Sequence, residues 1–359
     1  MRVFASLLLA VTLGGGCLCA QSFRVSSPDG LLTAAVAVSV AGVRYRVDYR
    51  GRPVLLESAL DPGLPRAPIR LGGVSRGAHE SSWRPVYGER AEIPDKYREL
   101  EVDVTGASGD APGSRLTFRC YNEGLAFRYT VLGSGPVTIT AERTEFRFPP
   151  AAMAYEEHGA EGPYQRVPVT RVKARCERPL TIDYGNGVFA SLTEAALVDY
   201  PRMLLSPVAG KPGVLFSDLD GPATGTAPFS TPWRVLVVGD RPGDLLERNY
   251  LVLNLNPPSE IADTSWIKPG KAIREVTLST RGGRECVDFA VARGLQYIEY
   301  DAGWYGHEYD EAQDATTVTP DPKRAGQIEN WGGLDLQAVI DYARQRGIGV
   351  FLYVNRRHL

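Results

Sequence analysis

Over residues 23–238 the chain is built from short apolar runs broken by turn residues, and this period-two pattern constrains the fold more than any other feature. Residues 43–49 set Val43, Tyr45, Val47 and Tyr49 against Arg44, Arg46 and Asp48. Successive side chains on a strand point to opposite faces, so this spacing gives one apolar and one polar face. Similar runs cover 31–40, 54–56, 99–104, 115–121, 125–131, 137–141, 144–148, 180–182, 188–193 and 233–238, with Gly, Pro, Asp and Asn between them. No long helical period interrupts the series. Many short strands with turn signals between them predict a large antiparallel sandwich.

The pattern changes near Trp266. Residues 271–278 read as a strand, and Gly282-Gly283 opens a helix in which Cys286, Phe289, Ala290 and Arg293 recur at helical spacing. Gly294 ends it as a C-cap. A strand over 295–301 follows, then a polar stretch holding Asp310, Glu311, Asp314 and Asp321. In the next helix, 334–346, Leu336, Val339, Ile340 and Ala343 follow the i, i+3, i+4, i+7 spacing of an apolar stripe. Residues 348–354 read as a third strand. The order β–α–β–α–β predicts crossover helices between parallel strands. A closed eight-stranded barrel takes about 250 residues, and 263–359 hold only its first three units. The last strand would leave an apolar edge, which natural sheets cover or charge. We therefore expect a barrel broken off at Leu359; a complete three-stranded open sheet is the alternative.

Residues 1–20 read as a signal peptide: Arg2, an apolar run over 4–13, then Gly14, Gly15, Gly16 and Ala20, with cleavage expected after Ala20. The run is shorter than the ~20 residues of a membrane span, so none is expected. Cys17 follows Leu13-Gly14-Gly15-Gly16, a poor match to a lipoprotein box. The expected location is periplasmic or extracellular. Export leaves Cys120, Cys176 and Cys286, too few and too widely spaced for a disulfide framework or a zinc site, and they read as small buried hydrophobes. Forty Lys+Arg against 42 Asp+Glu give a net charge of −2. That balance supplies no basic field for nucleic acid or an anionic membrane. There is no phosphate loop, no His-Glu-x-x-His and no Gly-x-Ser-x-Gly, and the four histidines, His79, His158, His307 and His358, match no metal pattern.

The stretch richest in chemistry is Tyr297-Ile298-Glu299-Tyr300-Asp301-Ala302-Gly303-Trp304-Tyr305-Gly306. At the carboxyl end of a barrel strand, Asp301 could accept hydrogen bonds from sugar hydroxyls and Trp304 could stack on a pyranose ring. Equally, Asp301 could cap a turn and Trp304 could be core. Period two puts Glu299 and Asp301 on one side of the strand. Glu194, in Thr193-Glu194-Ala195, is a carboxylate at a strand end, the ligand type that calcium needs, although a lone Glu is more often a surface residue.

Several segments in order resemble glycoside hydrolase family 97. They are Ser27-Pro28-Asp29-Gly30, Tyr121-Asn122-Glu123-Gly124-Leu125-Ala126-Phe127-Arg128-Tyr129, Ser191-Leu192-Thr193-Glu194-Ala195, Leu253-Asn254-Leu255-Asn256-Pro257-Pro258, Ser265-Trp266-Ile267-Lys268-Pro269-Gly270-Lys271 and Asp301-Ala302-Gly303-Trp304, with 335–355 behind them. Pro257 departs from the pattern, in which a glutamate precedes the proline. The resemblance implies a mutarotase-like antiparallel β-super-sandwich followed by the first part of a (β/α)8 TIM-type barrel. The domains expected are a signal peptide over 1–20, a sandwich over 21–262 and a partial catalytic barrel over 263–359. It also implies an exo-acting, calcium-assisted hydrolase of α-glucosides or α-galactosides, with an oligosaccharide or α-glycoside as partner and the oligomeric state open. Glu194 is the implied calcium ligand; Asp301 and Trp304 remain the substrate contacts expected from their place at the strand end. The decisive carboxylates are expected beyond Leu359, so no catalytic residue is named and the chain is expected to be inactive alone. The rival readings are a non-catalytic carbohydrate-binding sandwich and a purely structural one.

Overall fold

The structure, a computed structural model, describes residues 20–64, 68–106, 113–159, 161–325 and 331–359. The expected signal peptide, Cys17 included, lies outside the described residues but for Ala20. The chain divides into two compact units between Glu260 and Ile261.

The first unit is antiparallel throughout its described strands. In chain order they are β1 (Gln21–Ser26), β2 (Leu32–Ser39), β3 (Gly42–Tyr49), β4 (Arg52–Leu60), β5 (Ile69–Trp83), β6 (Ile93–Gly106), β7 (Ser114–Tyr121), β8 (Gly124–Ile139), β9 (Glu145–Arg147), β10 (Met153–Glu156), β11 (Gln165–Pro168), β12 (Leu180–Asp183), β13 (Phe189–Ala195), β14 (Met203–Pro207), β15 (Val214–Leu219), β16 (Ala223–Ser230) and β17 (Trp233–Gly239). One sheet runs β1-β2-β3-β4-β9-β15-β14. The other runs β11-β10-β12-β13-β17-β8-β7-β6-β5, with β16 on β8. Tyr45 and Val47 from the first sheet and Phe118, Phe127, Leu192 and Leu236 from the second are buried in one core. The 43–49 alternation appears directly as burial, with Val43, Tyr45, Val47 and Tyr49 inside and Arg44 and Arg46 outside. The outer face of the larger sheet has a second core, where Tyr121, Trp233, Val235 and Val237 meet Leu251 and Leu255. Of these, Leu251 lies on α2 (Tyr250–Asn254), which follows α1 (Pro242–Glu247).

Two differences from the sequence reading have clear causes. The runs 125–131 and 137–141 are one strand, β8, which continues through Gly133 and Gly135 at φ 99° and 92°. Glycine carries a strand through such positive φ without a Cβ clash. The long β5 has no apolar period because most of it is exposed; its register with β6 holds it instead.

The second unit is a parallel βαβαβ element with strands β18 (Ala272–Glu275), β19 (Tyr297–Tyr300) and β20 (Gly349–Leu352) in that order. Both crossover helices have the signals expected of them. Ser279 caps α3 (Thr280–Arg293) through Gly282 N, and Gly294 ends it at φ 66°. Asp335 caps α4 (Leu336–Gln345) through Ala338 N. Ile298 and Tyr300 of β19 pack with Val287 and Ala290 of α3 and Val339 and Ala343 of α4. Gly283 makes this packing possible, since a Cβ there would lie 2.1 Å from the Tyr300 hydroxyl. Both helices thus cover one face of the sheet. The other face carries Arg274, Tyr297, Glu299 and Phe351, the two rings 4.6 Å apart. This arrangement is that of the first staves of a β/α barrel.

Candidate functional site

The first unit places Glu194 in an ion-pair ladder. Glu194 on β13 lies directly across from Arg234 on β17. Both side chains continue the inward-facing rows of Leu192 and Leu236, which places charge at the end of an apolar layer. Such groups must be paired to remain there. Arg234, fully buried, donates from Nε and Nη2 to the two Glu142 oxygens at 3.0 and 2.6 Å. Its Nη1 donates to Glu194 Oε2 at 2.7 Å. Arg178 Nε donates to Glu194 Oε1 at 2.6 Å, and the Met203 amide reaches both oxygens at 3.1 and 3.2 Å. The ladder then runs outward. Arg178 meets Glu177 at 3.1 Å, Arg202 spans Glu177 and Asp220, and Arg175 closes on Asp220. Hydrogen bonds from Arg202 and then Arg175 hold the Asp220 carboxyl below its usual range. Burial first, then the Glu142 charge, pushes the Tyr200 phenol up.

Calcium takes six to eight oxygens. Both Glu194 oxygens already accept from guanidinium and amide donors, and among the described residues no three His, Cys, Asp or Glu come together as a metal group. The described residues therefore do not by themselves form a calcium site. Glu194 is not a surface residue; it is held between Arg234 and Arg178 in the buried part of the ladder.

The other family-like segments tie the sandwich together. The Asp29 amide donates to Asn122 Oδ1 at 3.0 Å, which joins Ser27-Pro28-Asp29-Gly30 to Tyr121-Asn122-Glu123. Tyr250 donates to Glu123 at 2.6 Å. Asn254 Oδ1 accepts from Trp83 Nε1 at 2.9 Å, and Asn256 Oδ1 accepts from the Ala196 amide at 3.1 Å. These asparagines fasten the segment after the sandwich onto the larger sheet.

In the second unit the polar groups gather at the carboxyl ends of the parallel strands. Asp301 follows β19; its Oδ2 forms an ion pair with Arg274 Nη2 at 2.5 Å and its Oδ1 accepts from the Ala302 amide at 2.7 Å. It remains partly open to solvent. Trp304 corrects the expectation of a sugar platform. It is 4% exposed, its indole donates to the Tyr353 carbonyl at 2.8 Å, and its ring meets Tyr305 edge-on at 5.0 Å. With both faces packed, the ring is core. His307 is exposed, and its Nδ1 accepts from the Tyr309 amide at 3.3 Å.

Glu308, Tyr353 and Asn355 form a cluster that no single sequence motif marks. Glu308 Oε2 accepts from the Tyr353 hydroxyl at 2.8 Å and from Asn355 Nδ2 at 3.2 Å. Glu308 lies in an irregular loop and its partners lie past the next strand. No local period could have joined them.

A two-sheet antiparallel sandwich ahead of a parallel β/α unit with carboxylates at its strand ends defines a class of multidomain proteins whose polar site lies at the β/α strand ends. The chain belongs to the glycosyl-hydrolase 97 family: residues 25–258 match its N-terminal domain. It is 24% identical over 412 residues to a retaining alpha-galactosidase of Bacteroides thetaiotaomicron, covering 98% of this chain and 58% of that protein. It is 28% identical over 336 residues to a protein named "Probable retaining alpha-galactosidase" of Streptomyces bingchenggensis, covering 89% and 50%. A family 97 enzyme of Pseudoalteromonas sp. strain K8, solved in complex with acarbose, superposes with a TM-score of 0.80 at 26% identity, over 91% of this chain and 53% of that one. The chain spans about half the length of the curated relatives it matches. Among the described residues no helix is long and apolar enough to cross a membrane.

Proposed function

We propose that the protein carrying this chain is a glycoside hydrolase acting on α-galactosides or α-glucosides, with the parallel strands as the opening of its catalytic barrel. The observation that carries this reading is the union of a family 97 sandwich with a parallel unit that carries Asp301 and Glu308 past the carboxyl end of its middle strand. Glycoside cleavage needs one carboxylic acid to protonate the leaving oxygen and a second carboxylate as nucleophile or base, about 5 Å away for retention and about 6.5–9.5 Å for inversion. The names of the relatives favour retention at an α-galactoside. Asp301 is tied to Arg274 and Glu308 to Tyr353 and Asn355, so neither is assigned as acid or nucleophile, and both suit binding of the sugar. Secretion through residues 1–20 belongs to the same reading. So does calcium, to which Glu194 would give one carboxylate beside several ligands from outside the described residues.

The test is turnover of nitrophenyl α-galactoside and α-glucoside by the protein expressed from its full gene, with product anomers followed by NMR. α-Glycoside cleavage with net retention is expected; no turnover of either sugar refutes the reading. Calorimetric titration of calcium, repeated with Glu194→Gln, tests the metal: equal affinity in both proteins removes Glu194 from its site.

A further inference from the structure

We propose that Glu308 is a sugar-binding, specificity-determining residue that receives a hydroxyl of the glycone at the carboxyl ends of the parallel strands. Three features of its setting point there. The first is its fixed orientation. Oε2 is held by the Tyr353 hydroxyl at 2.8 Å and Asn355 Nδ2 at 3.2 Å, and those two groups lie 3.3 Å from each other. Tyr353 is itself anchored at both backbone groups: its amide donates to the Tyr300 carbonyl at 2.9 Å and its carbonyl accepts from Trp304 at 2.8 Å. The Glu308 carbonyl meets His358 Nε2 at 3.1 Å, so the backbone is held as well.

The second feature is the free oxygen. Among the described residues Oε1 makes no hydrogen bond, and Glu308 has no Lys or Arg partner, unlike Asp301 with Arg274. A carboxylate held at one oxygen by neutral donors has its other oxygen left as a strong acceptor. A neutral polyol supplies matching donors, and charge-assisted hydrogen bonds are the strong ones. The contact with Glu308 also raises the Tyr353 phenol above its ordinary value, so the phenol stays protonated and donating.

The third feature is place. Groups just outside the carboxyl ends of parallel strands are where β/α sheets take their ligands. Trp304 thus serves sugar binding indirectly: packed in the core, it positions Tyr353, which positions Glu308.

This inference rests on the glycosidase reading, and the experiment separates the two. The protein from the full gene is assayed for kcat/KM on aryl α-galactoside and α-glucoside and on the monodeoxy forms of the better sugar. Glu308→Gln should lower kcat/KM on the parent sugar about 10- to 100-fold, the range for losing a charged hydrogen bond. On the deoxy sugar that lacks the hydroxyl Glu308 receives, variant and parent should agree within about twofold. Tyr353→Phe, which loosens the carboxylate without removing it, should cost less. An equal loss on every deoxy sugar, or no loss on the parent sugar, overturns the inference while leaving the glycosidase reading intact. No turnover by the unaltered protein refutes that reading, and the inference falls with it. If Glu308→Gln does not fold, Glu308→Asp is put through the same deoxy series, with the same outcomes deciding.

Discussion

Replacing Arg234 with Met should destabilise the sandwich more than any other single charge removal in the ladder. Arg234 is fully buried and gives three hydrogen bonds, two to Glu142 and one to Glu194. Glu194 would keep Arg178 and the Met203 amide, whereas Glu142, equally buried, would lose both bonds from its guanidinium partner. Breaking a buried pair from one side costs about 3–5 kcal/mol, because the remaining charge is left uncompensated. At about 2–4 °C per kcal/mol for a domain of this size, the sandwich transition should fall by roughly 6–20 °C. Calorimetry of parent and variant at pH 7 reads the effect, and a loss below about 1 kcal/mol would refute the reasoning.

Other substitutions probe the remaining joints. Gly283→Ala forces a Cβ against the Tyr300 hydroxyl and Val339 and should cost the second unit about 1–3 kcal/mol in urea unfolding; an unchanged midpoint would contradict that packing. Asp220 is held low in pKa by Arg202 first and Arg175 second. Its stabilisation is therefore present above the unfolded carboxylate value and is lost as pH falls through the folded one. Asp220→Asn should flatten that acid limb of a stability–pH curve, and a limb identical to the parent's would refute the assignment. Burial pushes the Cys176 and Cys286 thiols up to about 11, and Cys120 is raised by burial as well. All three should react slowly with Ellman's reagent at pH 8 in the native protein and fast in denaturant; rapid native labelling of any one would show its site to be open.

What could be read from the sequence follows how locally each feature is encoded. The buried row of β3 and the caps Ser279, Gly294 and Asp335 are set by neighbours a few residues away, and period and cap signals recover them. The exposed β5 depends on the register of its partner and leaves no apolar period of its own. Burial escapes local reading in the same way. Trp304 has the residue type of a sugar platform, but its indole is taken by the Tyr353 carbonyl, across a gap in sequence that no window spans.

The three carboxylates show why residue type alone does not assign a role. Glu194, Asp301 and Glu308 are the same chemical group near strand ends, and their counter-ions tell them apart. Glu194 meets two guanidinium groups in a buried layer, a setting whose first effect is on the stability of the sandwich. Asp301 meets one guanidinium and remains partly open, so a sugar hydroxyl would compete with Arg274 for it. Glu308 meets no cation among the described residues and is aimed by two neutral donors. An acceptor held in place with charge to spare is what discrimination of a hydroxyl requires, since a site built to bond that hydroxyl is left unpaired by an analogue without it. If sugar selectivity in this protein follows one of these acids, it should follow the one without a cationic partner.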